Sequence, residues 1–143
     1  MTLEPAPFDR SIVETNAWLR DVEARLDVSR RHAYAGLRAT LLALRDRLPA
    51  KTALRFADQL PARLRGVFMD GWVLADRPAA NGSAAAFADQ IARGLPPGFP
   101  FDAETVVRAA FLTVYDQMDG REVDTVVRYL PPHVREVWLE DVG

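Results

Sequence analysis

The feature that most constrains this chain is that it matches itself at a shift of seventy positions. Arg38-Ala39 falls on Arg108-Ala109, Asp46 on Asp116, Leu60-Pro61 on Leu130-Pro131 and Arg65 on Arg135, with no gap between them. The apolar positions coincide too, with Leu37, Leu41, Leu44 and Leu48 on Val107, Phe111, Val114 and Met118. Steps of four, three and four place one stripe along a helix, which turns once per ~3.6 residues. Ala53, Phe56 and Leu60 then fall on Val123, Val126 and Leu130, and Leu64, Val67 and Phe68 on Val134, Val137 and Trp138. Two further short helices per copy are therefore expected. Upstream, one inserted residue brings Trp18, Val22 and Leu26 onto Phe87, Ile91 and Leu95, and the loop Pro96-Pro97-Gly98-Phe99-Pro100 absorbs it. No stretch shows the alternation of a strand. The expected fold is all-α, about eight helices in two tandem four-helix repeats that share a core and an internal pseudo-twofold relation. A single domain at 8–143 holds repeat one (8–72), a linker (73–82) and repeat two (83–141).

Boundary chemistry agrees with this division. Asp9 is placed to cap the first helix, with Phe8 stapled against Val13. Ser29 and Asp102 precede the long second helices, Ser83 closes the linker, and Asp119-Gly-Arg-Glu122 has the pattern of a capping box. Pro61 and Pro131 stand where each final helix begins, a position that suits a fixed φ and a missing N–H. Val73 to Gly82, with Asp-Arg-Pro and Asn-Gly, lacks apolar periodicity and reads as linker.

The run Leu37-Arg-Ala-Thr-Leu-Leu-Ala-Leu-Arg-Asp-Arg-Leu48, followed by Gln59-Leu-Pro-Ala-Arg-Leu-Arg-Gly66 and Asp70-Gly-Trp72, resembles the bacterial domain-of-unknown-function family 2267. The similarity covers roughly residues 8 to 140, including a weaker second copy ending in Tyr129-Leu-Pro-Pro-His-Val-Arg-Glu-Val-Trp138. It implies an all-α bacterial domain and brings no activity, cofactor or catalytic residue. The second copy has Asp141-Val142 where the first has Gly71-Trp72, so a ligand held at that corner would not be held equally by both.

Residue chemistry narrows the function. With no cysteine in the chain, disulfides, thiolate metal sites and cysteine nucleophiles are excluded together. The N-terminus lacks a basic segment followed by an apolar run, and no stretch reaches the ~20 apolar residues of a membrane span; a cytoplasmic protein is expected. His32 and His133 occupy unrelated repeat positions and neither has a second imidazole at ligand spacing, so they read as surface residues, with no metal and no cofactor. Serine nucleophiles and phosphate loops sit on strand-to-helix turns, which this chain does not offer; Ser11, Ser29 and Ser83 read as helix-start residues. Residues 1–77 carry 13 Lys and Arg against 10 acids and residues 78–143 carry 5 against 10, giving +3 and −5. That asymmetry permits homo-oligomers through head-to-tail contact, while nucleic-acid binding calls for a much stronger basic excess. Arg31, Arg38 and Arg45 form a stripe that reads as the solvated back of an amphipathic helix.

Two sets of residues remain as candidates. Asp46 with Arg65 and Asp116 with Arg135 recur at matched positions, which predicts the same structural ion pair made twice, from the end of the second helix to the start of the fourth. Trp18 and Trp138 match apolar partners and belong to the core, whereas Trp72, Phe99 and Phe101 are candidate partner-binding residues. No catalytic residue is assigned. The expected function is a non-enzymatic interaction or regulatory module with an apolar groove or patch for a protein partner; the alternative is a small-molecule-binding domain with an inter-helix pocket.

Overall fold

The computed structural model describes residues 7–73 and 82–143, with side chains from Asp9 onward, so the body of the linker and the expected staple of Phe8 against Val13 lie outside what is described. Within them the chain is all-helical: α1 (Pro7–Leu26), α2 (Arg30–Arg45), α3 (Ala50–Gln59), α4 (Ala62–Met69), α5 (Ala84–Gly94), α6 (Ala103–Gln117), α7 (Gly120–Tyr129) and α8 (Pro132–Val142). No strand occurs among the described residues.

Side-chain caps start most of the long elements. Ser29 accepts from the His32 N–H at 3.3 Å, Ser83 from Ala86 at 3.1 Å and Asp102 from Thr105 at 2.9 Å, each satisfying one of the N–H groups a helix leaves open at its start. Asp9 instead lies inside the first turn of α1, because that helix already begins at Pro7. The expected capping box is half made. Asp119 accepts from the Arg121 N–H at 2.9 Å, but the Glu122 carboxylate turns away to take Arg55 of α3 at 3.0 and 3.3 Å. Ser11 does not start a helix. It is buried in α1 and its hydroxyl accepts the Arg63 N–H at 3.2 Å, capping α4, whose N-cap Pro61 has no side chain to do so.

The matched apolar stripes form the core. Leu37, Leu41, Leu44 and Leu48, with Val107, Phe111, Val114 and Met118, are all buried, as are Trp18, Val22, Leu26, Phe87 and Ile91. They belong to one cluster that runs through both halves. Phe111 lies at its centre, with ring centroids 4.6 Å from Trp138 and 6.2 Å from Phe87. A fully buried aromatic or aliphatic side chain contributes about 1.5–3 kcal/mol, so this shared core is the main source of stability.

α1 packs on α2, α4 and α6; α2 on α4, α5 and α6; α3 on α4 and α7; α5 on α6 and α8; α6 on α7 and α8; and α7 on α8. Exchanging the first four helices for the last four turns the α1–α6 contact into α5–α2, α1–α4 into α5–α8 and α2–α4 into α6–α8, and each of these exists. The α2–α6 and α3–α7 contacts map onto themselves. Where α2 crosses α6, a Cβ on Gly36 would stand 3.0 Å from Val106 Cγ1, so a larger residue there would press on that side chain.

Candidate functional site

Two open grooves lie on corresponding helices. The first, of about 500 Å³ between α1, α2 and α4, is lined by Ile12, Thr15, Asn16, Leu19, Tyr34, Arg63, Leu64 and Val67. The second, of about 530 Å³, lies between α5, α6 and α8, and its walls include Ala84, Ala85, Ala88, Glu104 and Val137. These five fall on Thr15, Asn16, Leu19, Tyr34 and Val67 at the shifts that align the two copies. Val67 and Val137 are the half-buried members of otherwise sealed apolar sets, and each opens on its own groove. Glu140 and Asp141 of α8 and Arg108 of α6 complete the second. A third hollow, of about 430 Å³, lies between the halves along Val13, Ala17, Trp18, Pro61 and Met118.

Polar ties hold the halves together beside these grooves. Asp46, the C-cap of α2, accepts from Arg45 at 3.0 Å and from the Gln90 amide of α5 at 2.8 Å. Asp116, its match at the end of α6, takes Arg25 of α1, which also holds Asp21 at 3.1 Å. The recurring carboxylates therefore do share a role: each ties the end of a long helix to the first helix of the opposite half. Arg47 is buried, stacked over the Phe87 ring at 5.0 Å, and donates to the Ala43 carbonyl at 3.1 Å and to Gln90. Burial lowers its pKa from the ordinary value, against the opposing pull of Asp46, and its Nε has no partner among the described residues. His133 Nε2 is likewise buried and unpartnered, and burial followed by the nearby Arg47 charge holds this imidazole below its ordinary pKa, with Glu136 opposing. Reading it as a surface residue missed this packing. Among the described residues no group of three or more His, Asp or Glu is placed to hold a metal ion.

The sequence profile of the uncharacterized conserved proteins known as DUF2267 matches residues 15–140, which takes in these ties and all of the two grooves' lining except Ile12 and Asp141. The chain belongs to the DUF2267 family. Comparison with curated proteins finds no match.

The residues that carry the DUF2267 resemblance now have structural roles. The expected ion pairs of Asp46 with Arg65 and of Asp116 with Arg135 are not formed. Arg65 instead donates to the carbonyls of Ala57, Asp58 and Leu60 at 2.9, 3.1 and 3.2 Å. Arg135 does the same to Val127, Arg128 and Leu130 at 3.3, 2.9 and 2.9 Å. The Leu-Pro step turns the chain sharply, so the first turns of α4 and α8 lie over the carbonyl ends of α3 and α7. There the guanidinium meets the negative end of the helix dipole, adding to the single backbone N–H that Ala57 and Val127 each accept from Leu60 and Leu130. The motif Leu-Pro-x-x-x-Arg is thus a helix C-cap supplied by the next helix.

Asp70-Gly71-Trp72 forms a type II turn. Asp70 has φ −63 and ψ 126, Gly71 has φ +68, and the Trp72 N–H reaches the Met69 carbonyl at 3.2 Å. Arg45, the third member of the expected solvated stripe, is in fact buried and pins this turn by donating to the carbonyls of Phe68 at 3.1 Å and Asp70 at 2.6 Å. Of the candidate partner-binding residues, Trp72 is half-buried against the core. Phe99 packs on α2 of the other half, beside Gly36 and 5.1 Å from the His32 ring. Phe101 is exposed, and none of the three lines a groove described above. The grooves leave no mark in the sequence because their walls come from three helices each, set side by side only by the fold.

Proposed function

We propose that this DUF2267 chain is a cytoplasmic, non-enzymatic interaction module that engages a protein partner through the grooves, its halves related by an internal twofold. The observation that carries this reading is the recurrence of one groove on corresponding helices, with Val67 and Val137 left half-buried at the same place in each. A recurrent, partly open apolar strip flanked by two helices suits the capture of an amphipathic segment. The exchange-invariant helix contacts and the repeated arginine caps support the twofold. No described helix is long and apolar enough to cross a membrane, which accords with the compartment proposed.

A photo-crosslinking residue at Asn16 or Ala85, introduced in the native cell, tests the reading. Protein adducts at either position, lost when the neighbouring groove is filled, are the expected result; adducts at neither position would sink it. A small-molecule pocket is the second reading, favoured by the Thr15 hydroxyl, which is buried and unpartnered at the first groove. A metabolite that co-purifies with the protein and raises its melting temperature, in the absence of protein adducts, would move the conclusion there.

A further inference from the structure

The two grooves share a position and differ in lining. At three matched places the first carries Thr15, Asn16 and Leu19 where the second carries Ala84, Ala85 and Ala88. At a fourth, Tyr34 is answered by Glu104. The second groove therefore has a shallow floor of methyl groups and an acidic rim: Glu104 from α6 and Glu140 and Asp141 from α8, with Arg108 as the cation in the lining. Among the described residues none of these three carboxylates forms a hydrogen bond or an ion pair. Burial raises the Asp141 pKa, and Glu140 and Glu104 push in the same direction against Arg108. Residues 78–143 as a whole carry 10 acids against 5 bases.

We propose that the groove between α5, α6 and α8 takes a short cationic amphipathic helix of a protein partner. The inference rests on the interaction-module reading and names the partner chemistry for one of its two sites. The exposed residues that α5 presents at this groove, Ala84 and Ala85, end in methyl groups, as does half-buried Ala88, and lie beside the buried Phe87, so the backbone of an incoming helix can approach closely. Apolar side chains of the guest cover Val137 and the edge of Phe87, while its Lys or Arg residues meet the unpaired carboxylates on the rim. Like charges gathered at one mouth disfavour each other, and a cationic guest relieves that repulsion as it binds. The first groove offers no such rim and is lined by longer side chains, so the guest discriminates between them.

The test uses a synthetic amphipathic helix of leucine and lysine, with a leucine and glutamate peptide of the same pattern as comparison, titrated into the isotopically labelled full chain. The leucine–lysine peptide is expected to shift the amide resonances of α5, α6 and α8, and to bind more weakly as salt is added. Joint replacement Glu104→Gln, Glu140→Gln and Asp141→Asn, or Ala85→Trp alone, should each weaken binding at least about tenfold. Asn16→Trp in the first groove should leave the affinity unchanged. Circular dichroism checks that each variant folds; Ala85, Glu104 and Glu140 are exposed, so replacement does not disturb the core. The proposal is overturned if the leucine–lysine peptide does not bind, if the leucine–glutamate peptide binds as well, or if the charge-removed variant keeps full affinity. Protein adducts from a crosslinker at Asn16 alongside any of those results would leave the module reading standing and remove only the cationic guest.

Discussion

The ends of α4 and α8 show what the two halves keep and what they change. Both helices begin in the same way, after Leu-Pro, with an arginine four residues beyond the second proline-step residue reaching back to three carbonyls of the preceding helix. Their far ends differ. α4 stops at Met69 and turns through Gly71, pinned by the buried Arg45, whereas α8 continues to Val142 and the position matching Arg45 is Tyr115, which is exposed. The pinning arginine and the turn it pins are absent together from the second half. A buried guanidinium is tolerated only where carbonyls or carboxylates receive it, so the arginine and its turn stand or fall as a unit.

The largest expected effect concerns whether either half stands alone. One apolar cluster runs through both, and a unit of this size has little core of its own. Residues 1–76 expressed separately should show no cooperative thermal transition; a melt near that of the full chain would mean the halves are independent. At the shared centre, Phe111→Ala should cost about 3–5 kcal/mol and its counterpart Leu41→Ala about 2–5 kcal/mol in urea unfolding.

The arginines give the sharpest contrast. Arg65→Ala and Arg135→Ala should each lose about 1–3 kcal/mol, since charge-assisted hydrogen bonds to part-buried carbonyls are lost, and the two losses should match. Lysine should restore only part of it, because a point charge does not fork to three acceptors. Arg45→Ala should lose a similar amount while Tyr115→Ala stays within about 0.5 kcal/mol. Equal effects at Arg45 and Tyr115 would break the comparison.

Titration separates the halves more gently. His133 stands where the first half has Arg63, and its folded pKa lies below the unfolded value. The unfolded chain then takes the proton first, so stability present above about pH 6.5 declines as the pH falls through the folded value. Urea unfolding at several pH values should show that decline in the wild type and a smaller one in His133→Gln. Asp141 has the opposite sign. Its raised folded pKa makes the charged form a burden at neutral pH, so Asp141→Asn should raise the melting temperature slightly.

Much of the helix plan was readable, because apolar periodicity and matched prolines act through local sequence. Leu37 to Leu48 and Val107 to Met118 needed only a helical period to be placed in the core. Arg65 and Arg135 were legible as a recurrence but not in their partners, since a guanidinium seen in sequence points to a carboxylate, while open carbonyls at a helix end leave no residue-specific mark. Asp46 and Asp116 met helices of the opposite half, a contact set by tertiary packing. The grooves were the least readable feature. Ala84, Ala85 and Ala88 become a floor only once α6 and α8 stand beside them.

Gly36 and Val106 occupy the same position in the two copies, and they touch each other. Two identical chains meeting this way would be forced to put one residue type on both sides: a pair of glycines leaves a void, and a pair of valines collides. Joined in one polypeptide, the halves escape that symmetry and set a knob into a hole. The same freedom lets one groove be lined with alanine and carboxylates while its twin carries longer, mostly apolar side chains, so a single chain can present two different mouths to its surroundings.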